Sequence, residues 1–138
     1  MKTKHYLTAT DVEILVHAAS QYATAHSFNV SIAVVDDGGT LLMMKRMDGA
    51  SVLSTQICQE KAHSAAVSRR ATKASEDMIR DGKIGFLTIN AAKGMLEGGE
   101  PIIYQGQVVG AVGISGVQSF QDAEIAQHAI QQFLEQQT

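Results

Sequence analysis

Apolar residues recur at helical spacing after Thr8, where Val12, Leu15, Val16, Ala19, Tyr22 and Ala23 share one face. Thr8 suits an N-cap and Asp11, three residues on, completes a capping signal, so an amphipathic helix is expected here. The pattern then shifts to two runs of branched and long apolar residues in VSIAVVDDGGTLLMMKRMD, split by Asp36-Asp37-Gly38-Gly39. That is a β-hairpin signal, and because neither run alternates cleanly with polar residues, both faces of this region are expected to be covered. SVLSTQICQEKAHSAAVSRR, from Ser51 to Arg70, reads as a second helix with Leu53, Ile57, Ala62, Ala65 and Ala66 inward. Such small side chains allow a helix to sit close to a sheet. Residues 72–95 read as a loop-rich excursion, with short helical pieces in SEDMIRDGK and LTINAAKGML and Gly82, Gly85 and Gly94 as punctuation.

A second hairpin follows: Pro101 to Tyr104, a Gln105-Gly106 turn, and Gln107 to Ser115. Near Gln121 a last helix begins, with Ala126, Ala129, Ile130, Phe133 and Leu134 as its buried stripe. Hairpins alternating with helices predict an α+β fold on an antiparallel sheet instead of a parallel βαβ arrangement. At 138 residues the chain is expected to form a single domain over 1–138. Hydrophobic residues make up 45%, charged residues 18%, and the net charge of −3 carries no basic footprint for nucleic acid. No long apolar run suggests a membrane partner, and MKTKHYLTATDVE lacks the apolar core of a leader, so a cytoplasmic location is expected. The single cysteine, Cys58, excludes an internal disulfide and a multi-cysteine zinc site.

Chemistry is less plainly written. The stretch GGEPIIYQGQVVGAVGISG, residues 98–116, holds six of the twelve glycines. Glycines within strands signal either close packing or a ligand approaching the backbone, with Gly98-Gly99 at its edge. Five histidines show neither i, i+4 pairing nor HExxH, so no preformed zinc centre is indicated. A haem needs only one or two axial ligands and an apolar slot, and His63, between Lys61 and Ser64 on the Ala-rich helix, is the candidate ligand. Arg46 and Lys61 are candidates to hold a carboxylate or propionate. Met43, Met44 and Met47 suit flexible core filling or contact with a flat apolar ligand, and Cys58 suits a buried small hydrophobe. No Ser-His-Asp order, nucleophile elbow or paired-carboxylate motif assembles a hydrolytic site, so no catalytic residue is assigned.

Several segments together closely resemble the GlcG/HbpS family, which includes the C-terminal domain of PduO-type corrinoid adenosyltransferases. They are VSIAVVDDGGTLLMMKRMDGA (30–50), EKAHSAA (60–66), LEGGEPI (96–102), VVGAVGISG (108–116) and QDAEIAQHA (121–129). The resemblance spans nearly the whole chain. It implies a profilin-like fold with a central antiparallel sheet of about five strands flanked by helices. It also implies a homo-oligomer, dimer or larger ring, and a haem-binding or haem-responsive accessory protein holding non-covalent haem. The family pattern maps onto Arg46, Lys61, Gly98 and Gly99, among others. The alternative is a protein or enzyme for a small carboxylate, diol or aldehyde of glycolate, propanediol or glycerol catabolism; a third reading is a scaffold without a small ligand.

Overall fold

The structure, a computed structural model, describes residues 1–137. Helix α1 (Ala9–Ala25) precedes strands β1 (Ser31–Asp36) and β2 (Leu41–Arg46); helices α2 (Val52–Ser68) and α3 (Thr72–Arg80) follow. A 3-10 turn (Ile84–Thr88) leads to β3 (Gly99–Tyr104), β4 (Gln107–Ser115) and α4 (Ser119–Glu135). The sheet is antiparallel with order β2-β1-β4-β3, so the two hairpins meet along β1 and β4. Helices cover both faces: α1 and α4 pack on Ile32, Val34, Val112 and Ile114, and α2 packs on Ala33, Val35 and Ala111. The framework is therefore α+β.

The first helix starts where its capping box predicts, Thr8 Oγ1 accepting from the Asp11 N–H and Asp11 accepting from the Thr8 N–H. In the second hairpin Gln105 (φ 49°) and Gly106 (φ 77°) both take positive φ, the tight turn that matches strand twist.

Four expectations are corrected. The described residues form four strands, not about five, because the stretch before β3 is spent on a 3-10 turn and on Gly82, Gly94 and Gly98 at positive φ. Leu53 points outward, 62% exposed, since the inward series set from the Ser51 cap runs Ser54, Cys58, Lys61, Ala62 and Ala65. Ser54 uses its place to bond Ser31 across the layer, Oγ to Oγ at 2.8 Å. β1 is covered on both faces but β2 is an edge strand, with Leu41, Leu42, Lys45 and Arg46 exposed. Finally, the excursion opens with a regular helix from Thr72 to Arg80, while residues 89–96 form no helix.

Candidate functional site

Lys61 and His63 lie two residues apart on α2, so their side chains leave on different faces. Lys61 turns inward and is 2% exposed. Its ammonium donates to the Ile114 carbonyl (2.9 Å) and to Asp122 Oδ2 (3.1 Å), while Asp122 Oδ1 accepts the Val117 N–H at 3.2 Å. Asp122 sits in the first turn of α4, where the helix dipole also favours a negative charge. Burial nevertheless pushes its carboxyl up to about 6, against the opposing pull of Lys61.

Gly98 and Gly99 make this clasp possible. A Cβ on Gly98, at φ +131°, would stand 2.7 Å from Lys61 Nζ, and one on Gly99 would run into the Lys61 carbonyl. The Gly99 N–H donates to Thr72 Oγ1 at 2.9 Å, and that hydroxyl donates onward to the Leu96 carbonyl. Lys61, Gly98 and Gly99 thus join the starts of α3, β3 and α4 to the end of β4. Arg46 is elsewhere. Its Nε and Nη2 donate to the Ala50 carbonyl at 3.1 and 3.0 Å, closing the loop after β2. The structure does not bring Arg46 and Lys61 together as one anion holder: one is exposed on an edge strand, the other buried under the sheet.

His63 faces the other way, into a groove of about 300 Å³ at the turn end of the first hairpin. Val35 and Leu41 wall it on the sheet side, Glu60 on α2, and Asn90, Ala91 and Lys93 on the loop. His63 Nδ1 lies 3.0 Å from the Gly39 carbonyl. A carbonyl can only accept, so Nδ1 carries the hydrogen and a neutral ring keeps its lone pair on Nε2. Gly39 is the residue the sequence reading missed as part of the site. At φ +83° its Cβ would come within 2.5 Å of His63 Nδ1, so glycine is required for the ring to lie there. The one signal in the sequence was the second glycine of the Gly38-Gly39 pair, which a turn alone also explains.

The remaining candidates take structural places. Met43 and Met47 pack towards α1 and α4, Met44 towards α2, and none lines the groove. Cys58 is fully buried, and burial pushes its thiol up to about 12. His26 stacks on Tyr22 with ring centres 4.1 Å apart, His128 packs against the same ring at a tilt, 4.5 Å away, and His5 meets Tyr104 edge-on. Among the described residues no group of three or more His, Cys, Asp or Glu could hold a bare metal ion, and no helix is long and apolar enough to cross a membrane.

A family model described as "Haem degrading protein HbpS-like" matches residues 7–131. Protein GlcG of Escherichia coli (strain K12) is 43% identical over 115 residues, covering 83% of this chain and 85% of that protein. The crystal structure of Klebsiella pneumoniae protein ORFY superposes with a TM-score of 0.90 at 32% identity, covering 96% of this chain and 94% of that one. The crystal structure of a PduOC:haem complex superposes with a TM-score of 0.83 at 28% identity, covering 92% and 94%.

Proposed function

The chain belongs to the HbpS-like family, and on that premise we propose that it binds haem without covalent attachment, with His63 Nε2 as an axial ligand to the iron. One observation carries the assignment to His63: its Nδ1–H is held by the Gly39 carbonyl. Histidines that ligate metals characteristically give their other ring hydrogen to a carbonyl or carboxylate, which fixes the tautomer and the ring plane. The donor set fits haem better than a bare ion, since a porphyrin brings four of the iron's ligands and asks one or two of the protein. Val35, Leu41 and Ala91 offer apolar contact, and Lys93 at the rim supplies a cation for a propionate. A groove of about 300 Å³ covers part of a macrocycle and leaves the rest to solvent or to a second copy of the chain. When bound, haem supplies a redox-active iron; the protein's part is to orient it through His63. A haem-bound structural relative supports this reading.

Haemin titration of the purified apo-protein tests it, with spectra in both oxidation states and His63→Ala alongside. The expected result is a saturable Soret shift near one haem per chain, weakened about tenfold or more by His63→Ala. A linear, non-saturating response would end the haem reading, and an unchanged spectrum in the variant would remove His63 from it.

A further inference from the structure

A second cavity, of about 310 Å³, lies between α2, α3 and the loop that follows the 3-10 turn. Its wall is apolar, with Val67 from α2 and Phe86, Ile89, Ala92 and Met95 from the loop side. The hydroxyls of Ser64 and Ser68, which also border it, are spent on the carbonyls of Lys93 and Ser64. Two polar groups are not spent. Ser75 on α3 borders the cavity, and since no buried side-chain polar atom lacks a partner among the described residues, its hydroxyl, bonded to no protein group, is open to the cavity. Arg70 borders the same cavity and forms no ion pair among the described residues; its Nη1 rests 3.2 Å from Met78 Sδ, a weak and uncharged acceptor.

A hydroxyl that opens into an apolar-walled cavity is free to donate to a ligand that displaces the water there. An unpaired guanidinium beside it selects an anion, and a carboxylate fits that fork with two parallel bonds. We propose that this cavity binds a small carboxylic acid with an apolar tail, the carboxylate on Arg70 and Ser75 and the tail among Val67, Phe86 and Met95. Its volume, at the lower end for ligand sites, suits about ten heavy atoms. The site borders the His63 groove, with Ala91 lining both, and its own polar groups, Arg70 and Ser75, are not among those that line the groove.

Octanoate, with 1-octanol as its uncharged counterpart, tests the proposal on haem-free protein carrying ¹³C-methyl methionine. Octanoate is expected to shift the Met95 and Met78 methyl signals saturably while Met43, Met44 and Met47 stay in place. Ala92→Phe, which fills the cavity, abolishes the shifts. Arg70→Gln, an exposed change that leaves the core intact, weakens octanoate about tenfold and octanol less than twofold. Shifts spread over all the methionines, shifts that survive Ala92→Phe in a folded variant, or equal losses for both probes in Arg70→Gln would each overturn it.

Discussion

Lys61 is a charge held almost wholly away from water, and its stability depends on what happens to Asp122. Removing one member of a buried pair ordinarily costs about 3 to 5 kcal/mol, because the other charge stays buried and unpaired. Asp122 has an escape, since a carboxyl already pushed up to about 6 can take a proton. Its folded value stands above the unfolded one, so the stability it contributes is full below about pH 4 and is lost as pH rises through about 6. Lys61→Met raises the folded value further and moves that window upward. Urea denaturation should therefore find the variant about 3 kcal/mol less stable at pH 8 and much closer to the parent at pH 5. Equal losses at both pH values would mean that packing around the lysine stem, not the unpaired carboxylate, sets the cost.

Between α2 and the sheet, the determining contact is backbone against backbone. Gly99 and Gly113 are cross-strand partners on β3 and β4, and both look up at α2. A Cβ on Gly113 would stand 2.5 Å from the Ala62 nitrogen and collide with the Cys58 carbonyl. No side chain can swing aside to relieve that, so the whole helix must shift. Gly113→Ala is expected to cost about 3 kcal/mol, the upper end for an overpacked core, and to lower the urea midpoint without changing the unfolding slope. A loss below about 1 kcal/mol would show that α2 has slack on the sheet. This contact also marks how far the sequence is readable. Caps, hairpin turns and the Ala-rich helix are local patterns and were legible, as was close packing as one use of the strand glycines. The inward face of α2 was not: Leu53 is the more apolar residue, yet Ser54 is the one placed to bond Ser31. Nor were the site's partners, for His63 meets Gly39 from 24 residues away and Lys61 meets Asp122 from 61. Spacing along one helix cannot reveal which neighbour the tertiary fold delivers.

The strand order joins the two ends of the chain. β1 lies between its hairpin partner β2 and the late strand β4, so neither hairpin completes the sheet alone, and α2 packs on strands from both. Opening α2 therefore breaks the core on the sheet's second face and the Lys61 clasp to α4 together. Cys58 reports on that opening, being fully buried between α2 and the sheet with its thiol pushed up to about 12. A thiol of that kind is almost entirely un-ionised at pH 8, and the thiolate is the form that reacts. If α2 leaves only when the whole molecule unfolds, labelling by a thiol reagent is slow. Its rate then rises with urea along the same slope that circular dichroism gives for global unfolding. Labelling that is fast in native buffer and flat at low urea would instead show α2 lifting locally, leaving the four strands paired beneath it. The first outcome is expected, because Cys58 is fully buried and Gly113 brings β4 directly against the α2 backbone at Cys58 and Ala62.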